Sequence, residues 1–191
     1  MNSLIIATSN AGKVIEIRSA LGEVEGWALE PIRPGVPEIE ETGETFIENA
    51  ELKARHYSNC VDALTLADDS GLCVAALGGR PGVHSARYAP DPPSRIARLL
   101  GEMKSVDDGR SATFYCALAL ARKGEVIWTV EGEVEGVIAR SPAGEGGFGY
   151  DPVFFLPELN ATMAQLSTEQ KNRLSARGKA LAELRKYLAG I

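Results

Sequence analysis

The stretch ATFYCALALARKGEVIWTV, residues 112–130, decides how the sheet of this protein is built. The apolar run Ala112 to Ala121 reads as one strand and Val126 to Val130 as the next. Lys123 and Gly124 between them read as the turn of a hairpin, so these two neighbours run antiparallel. Working outward, the apolar runs Leu4 to Ala7, Ala63 to Ala67 and Leu72 to Leu77 read as further strands. Segments 12–21, 45–58, 94–103 and 168–189 read as helices. Alternating strands and helices give an α/β fold, and the hairpin makes its sheet mixed rather than wholly parallel.

With 191 residues, 45% of them hydrophobic and 24% charged, the chain can bury one substantial core. It is expected to form a single domain over residues 1–191. The net charge of −6 argues against broad affinity for nucleic acid, whose phosphates favour basic surfaces. Polyphosphates remain open as ligands, held through a magnesium ion and a few placed cations. The three cysteines, Cys60, Cys73 and Cys116, lack metal-site spacing and suit reduced thiols in a cytoplasm. The N-terminal residues carry no basic region followed by a long apolar stretch, and no run approaches a membrane span. A cytoplasmic protein with no membrane or nucleic-acid partner is the expectation.

Four distant segments carry residue types that a nucleoside triphosphate needs. In the first, LIIATS runs into Asn10, Ala11, Gly12 and Lys13 and then into a helix with Val14, Ile17 and Leu21 at helical spacing. A helix start with a lysine suits an anion, and Thr8, Ser9 and Asn10 add donors. The same residues equally suit a simple helix cap. In the second, Thr45 and Glu48 form a capping box for a helix whose apolar stripe, Phe46, Ala50, Ala54 and Tyr57, includes Lys53. An inward lysine requires an anion unless it snorkels past the core. Glu40 and Glu41 precede this helix as loop carboxylates of the kind that suit Mg²⁺.

In the third, ALTLA ends in Asp68, Asp69, Ser70 and Gly71, expected to form a turn before LCVAAL resumes. Adjacent carboxylates repel, a metal relieves them, and a tuned carboxylate can deprotonate an attacking water. An Asp-rich turn with Gly71 at positive φ is the plain structural alternative. In the fourth, GEGGFGYDP sets Phe148 and Tyr150 around Gly149, with Asp151 following. Its glycines let backbone approach a ligand, and an aromatic face can stack on a purine. Ser167 and Gln170 then form a second capping box. It opens a helix carrying Lys171 and Arg177 on or beside the apolar stripe, with Gly178 leaving room for a close approach.

Assembled, the blocks ATSNAGKVIEI, EETGETFIENAELKARH, LADDSGLCVAALGGRPGVHSARYA, GGFGYDPVFF and EQKNRLSARGKAL resemble the inosine triphosphate pyrophosphatase family over nearly the whole chain. The resemblance implies an elongated mixed β-sheet with flanking helices and two lobes around a central nucleotide cleft. It also implies a homodimer and Mg²⁺-dependent conversion of ITP, dITP or XTP to the monophosphate plus pyrophosphate. On this sequence it implies that Thr8, Ser9, Asn10, Ala11, Gly12, Lys13 and Lys53 hold phosphates. Glu40 and Asp69 would bind magnesium, with Glu41 the alternative to Glu40, and Asp69 would double as the general base. Ser70 would adjoin the substrate, Phe148, Gly149, Tyr150 and Asp151 would enclose the base, and Lys171 and Arg177 would contact base or phosphate.

One departure stands out: members usually read SHRG where this chain reads Ser175, Ala176, Arg177 and Gly178. A substrate-contacting histidine is thus replaced by Ala176, at an expected loss of about 1–3 kcal/mol. The rival readings are a Maf-like pyrophosphatase of modified or pyrimidine triphosphates and a nucleotide-binding protein with weak turnover.

Overall fold

A computed structural model describes residues 2–191. The strands β1 (Asn2–Ile6), β2 (Trp27–Pro31), β3 (Leu64–Val74), β4 (Ser111–Arg122), β5 (Glu125–Ile138), β6 (Phe154–Leu156) and β7 (Ala161–Thr162) form one sheet, ordered β2-β1-β3-β4-β5-β6-β7. β1 lies parallel to both β2 and β3, and every pairing beyond β3 is antiparallel. The sheet is therefore mixed, with α1 (Ala11–Leu21), α2 (Phe46–Cys60), α3 (Pro92–Glu102), α4 (Thr168–Leu174) and α5 (Ala176–Leu188) flanking it. At the β4–β5 turn Lys123 and Gly124 have φ of 52° and 78°. Positive φ at both central residues matches the twist of a hairpin.

The two faces of the sheet are built from different residues. On one, Ala67, Ala117, Ala119 and Ala121 leave room for α2 to settle closely through Phe46, Ala50 and Ala54. On the other, Leu66, Leu118 and Leu120 bury against Ile17 and Leu21 of α1 and Leu181 and Leu184 of α5. Each fully buried leucine contributes about 1.5–3 kcal/mol through removal of apolar area from water.

Three expectations need correction. DDSG is not a turn: β3 runs straight through it, paired with β4 from Thr65 opposite Ala121 to Val74 opposite Ala112. Strand alternation sends Asp68 and Asp69 to opposite faces, so neighbouring carboxylates avoid each other without a bend. The long C-terminal helix is two helices. Ser175 is extended (ψ 156°), ends α4, and caps α5 by accepting from Gly178 N–H. The space at Gly178 is filled by protein, not by ligand, since a Cβ there would lie 1.9 Å from the Asn172 carbonyl oxygen. Strands β2, β6 and β7 were missed as well; β6 and β7 have only three and two residues, too few for periodicity to register.

β1 pairs with β3 only from Leu4 opposite Leu64 to Ile6 opposite Leu66. Past Leu66 the β1-side edge of β3 is open, until Leu72 N–H reaches Ser85 Oγ (2.9 Å) and Val74 N–H reaches the Arg80 carbonyl. Asp68, Asp69 and Ser70 sit on that uncovered stretch.

Candidate active site

The open edge lets side chains from both faces of β3 serve one opening, a cavity of about 340 Å³. Asn10, Gly12 and Lys13 border it from the start of α1, Asp69 and Ser70 from β3, and Glu41 from the loop before α2. Phe148, Gly149, Tyr150 and Asp151 border it from the aromatic loop, and Lys171, Ala176 and Arg177 from α4 and α5. The four motifs thus converge. A Cβ on Gly12 would lie 3.2 Å from the Phe148 ring, so the first and last of them touch.

Beneath the cavity, on the α1/α5 face, Asp68 is buried and organises two cations. Lys13 Nζ pairs with its Oδ1, and Arg177 Nε donates to its Oδ2 at 2.9 Å. The Cys116 thiol also donates to Oδ2, at 3.0 Å. Burial alone would raise this carboxyl, but Arg177 and Lys13 overrule it and hold it well below the usual carboxylate range. Arg177 reaches further, donating to Ser70 Oγ (2.8 Å) and pairing with Glu16. Glu16 also pairs with Lys171, whose Nζ lies 2.5 Å from Asp151 Oδ2. The same Asp151 oxygen accepts from Phe148 N–H at 2.8 Å, which fixes the aromatic loop. Lys171 Nζ and Arg177 Cζ lie 5.1 and 5.5 Å from the Phe148 ring centroid, so the ring already has cations at its face.

On the α2 face, Lys53 is buried and satisfied by carboxylates. Its Nζ donates to Asp69 Oδ1 (2.8 Å) and Glu41 Oε1 (2.7 Å), and Arg87 holds the other Glu41 oxygen at 2.7 Å. Burial pushes the Asp69 carboxyl above its ordinary value, and Lys53 only partly counters it. Asp69 Oδ2 is buried with no hydrogen-bond partner among the described residues.

The structure brings Glu41, not Glu40, to Asp69; Glu40 is exposed and does not line the cavity. Thr8, Ser9 and Ala11 also stand off the wall. Thr8 Oγ1 accepts from Asn10 N–H (3.2 Å), and Asn10 in turn caps α1 at Lys13 N–H (3.2 Å). Lys53 lies behind Asp69 and Glu41 rather than on the surface of the cavity. Sequence reasoning passed over Glu16, three residues after Lys13 and hence on its helical face, and gave Asp68 no role distinct from that of Asp69. Ser85, Cys116 and Arg95, all in the lining, had no local signal.

Residues 4–187 match the family model described as Ham1 family. A protein of Geobacillus kaustophilus named dITP/XTP pyrophosphatase is 50% identical over 190 residues, covering 96% of this chain and 93% of that protein. One of the same name from Bacillus subtilis is 47% identical, covering 98% of each chain. The structure of a HAM1 protein from Coxiella burnetii superposes with a TM-score of 0.90 at 41% identity, covering 100% of both chains. Identity of this order along the whole length, on the same mixed sheet, means that the chain belongs to the Ham1 family.

Proposed function

We propose that this protein is a nucleoside triphosphate pyrophosphatase that hydrolyses deaminated purine triphosphates, dITP, ITP and XTP, to the monophosphate and pyrophosphate. The observation that carries this reading is the buried Asp69, with an unpartnered oxygen, in one cavity with Lys13 and Phe148. Asp69 accepts a proton from a water that attacks the α-phosphorus. The α–β bridging P–O bond breaks, and its electron pair leaves with pyrophosphate. A carboxyl raised by burial is a better base than a solvated one, and Lys53 keeps it oriented through Oδ1. Lys13 offsets charge on the phosphates.

Glu41 and Asp69 fit a magnesium ion. Both line the cavity, and Mg²⁺ takes few protein oxygens besides those of the substrate. When bound, it neutralises phosphate charge and lowers the pKa of water. Among the described residues no cluster of three or more His, Cys, Asp or Glu side chains could hold a metal, so the remaining ligands would come from nucleotide and solvent.

At the other end the purine stacks on Phe148. Lys171 and Arg177, donors only, face the 6-keto oxygen of hypoxanthine or xanthine. Adenine would present an amino donor to these donors, setting donor against donor, which is how such a site rejects ATP. The chain would act as one two-lobed unit over 1–191, as a homodimer in the cytoplasm. No described helix is long and apolar enough to cross a membrane, and Cys60, Cys73 and Cys116 are all free thiols.

The test is turnover of dITP, XTP, ATP and dUTP with Mg²⁺, with products resolved by mass. Release of pyrophosphate from dITP and XTP in preference to ATP and dUTP is expected. A preference for dUTP would replace the purine reading with a pyrimidine one, and tight binding of intact dITP would replace it with a sensor. Asp69→Asn should bind nucleotide and release almost no pyrophosphate.

A further inference from the structure

Among the described residues four cations border the cavity: Lys13, Arg95, Lys171 and Arg177. Three are already matched by carboxylates of the protein, Lys13 by Asp68, Lys171 by Glu16 and Asp151, and Arg177 by Asp68 and Glu16. Arg95 is not. Among the described residues no carboxylate oxygen lies within 4.0 Å of its guanidinium, and its one hydrogen bond runs from Nε to the Ala89 carbonyl at 2.9 Å. That bond anchors the neck of the guanidinium and leaves both terminal nitrogens free.

Arg95 lies at the end of the first turn of α3, which Asp91 caps by accepting from Ser94 N–H (2.9 Å). The other arginine of that face, Arg98, is engaged by the Tyr88 carbonyl and Glu102, so the two are not equivalent. The wall beside Arg95 includes Ser85, whose hydroxyl accepts from Leu72 N–H on β3 and whose carbonyl accepts from Tyr150. Arg95, Ser85, Gly71 and Asp69 line the same cavity.

We infer that Arg95 is an anion-recognition residue whose free guanidinium nitrogens take phosphoryl oxygens of the β- and γ-phosphates and of the pyrophosphate that leaves. The inference rests on the pyrophosphatase reading for the identity of the anion. Its physical basis is separate: a planar guanidinium whose two terminal nitrogens form a free edge, with no carboxylate of the described residues within 4.0 Å, on the wall of a cavity whose other cations are paired. A leaving group that departs with its full negative charge gains most from the cation no carboxylate has matched.

The experiment compares the wild-type protein with Arg95→Gln and Arg95→Lys. Calorimetric titration with pyrophosphate and with dIMP measures binding of each product separately, and steady-state kinetics with dITP gives kcat and KM. In Arg95→Gln, pyrophosphate affinity should fall and KM for dITP should rise by about tenfold, the scale of one charge-assisted contact. Binding of dIMP should be unchanged, and Arg95→Lys should recover part of the loss. Unchanged pyrophosphate affinity would overturn the inference, as would an equal loss for dIMP, which would place Arg95 on the nucleoside or α-phosphate. A wild-type protein that binds pyrophosphate through Arg95 without turning over dITP would defeat the pyrophosphatase reading and leave the anion site standing. Thermal melts of each variant separate loss of the Ala89 contact from loss of the ligand contact.

Discussion

Replacing Asp68 by Asn keeps the shape of the side chain and removes the one charge that Lys13 and Arg177 share. The carboxylate is 1% exposed and Arg177 10% exposed, so neither can be rehydrated in place. Breaking a buried ion pair by removing one partner costs about 3–5 kcal/mol, chiefly because the remaining charge is left uncompensated. Glu16 still pairs with Arg177, which puts the expected loss at the lower end. For a chain of 191 residues each kcal/mol moves Tm by about 2–4 °C, so a drop of about 6–12 °C is expected. Removing the exposed Asp107 partner of Arg140, a pair 3.3 Å apart in water, should leave Tm almost unmoved.

The pH dependence carries a second signature of Asp68. Its folded-state carboxyl lies well below the ordinary value, so its stabilisation is fully present above the unfolded pKa of about 3.9. It is lost as pH falls through the depressed folded value. The difference between wild type and Asp68→Asn should therefore be constant near neutrality and shrink below pH 4. Urea denaturation at several pH values measures both effects. A loss under about 1 kcal/mol, the size of an exposed pair, or a gap that widens in acid, would refute the reasoning.

Three further changes test separate parts of the structure. Gly178→Ala would set a Cβ 1.9 Å from the Asn172 carbonyl oxygen, and because that neighbour is backbone, α4 and α5 must separate. A loss of at least about 1–3 kcal/mol in urea denaturation is expected, and an unchanged midpoint would show that the junction yields freely. Ala176→His places an imidazole on the cavity wall and should raise kcat/KM for dITP by about tenfold or more; no gain would remove the side chain at 176 from substrate recognition. Lys53→Met withdraws the ammonium that bridges Glu41 and Asp69. The metal-free protein should melt lower than wild type, Mn²⁺ should raise its Tm by more than it raises that of wild type, and nucleotide should bind more weakly. An equal or smaller Mn²⁺ shift would mean that Lys53 and the metal do not compete for the same carboxylates.

Much of this could be read from the chain because the informative signals are local. The capping boxes at Thr45 and Ser167, the hairpin at Lys123 and Gly124, and the helical spacing that turned Lys53 inward all depend on residues a few positions apart. What escaped was decided at long range. Asp68, Asp69 and Ser70 form a strand because β4 supplies ladder partners some fifty residues away, and propensity gives no notice of such pairing. The break at Ser175 follows from the fit of α4 against α5, with Gly178 closed over the Asn172 carbonyl, although the capping pattern before it resembles any other helix start. Glu41 rather than Glu40 faces Asp69 because Lys53 and Arg87 draw it in from two different segments. Two adjacent glutamates in a loop carry no sign of which one those partners will select.

The arrangement of β3 explains how neighbouring carboxylates can do unlike work. A turn would have left Asp68 and Asp69 side by side and titrating as a pair. An extended strand separates them by the sheet itself, so one is held ionised by Lys13 and Arg177 while the other is raised by burial. That division requires both faces to reach one ligand, which a strand inside a sheet cannot offer. β1 stops at Ile6, and the edge it leaves open is where the two faces meet. The Asp68 pairs do not close the cavity to a substrate. Lys13 has three N–H donors and Arg177 five; Asp68 engages one of Lys13, and Asp68, Glu16 and Ser70 engage four of Arg177, so each keeps at least one. The buried carboxylate fixes where these donors point before a nucleotide arrives, and ordering that is done in advance is not charged against binding.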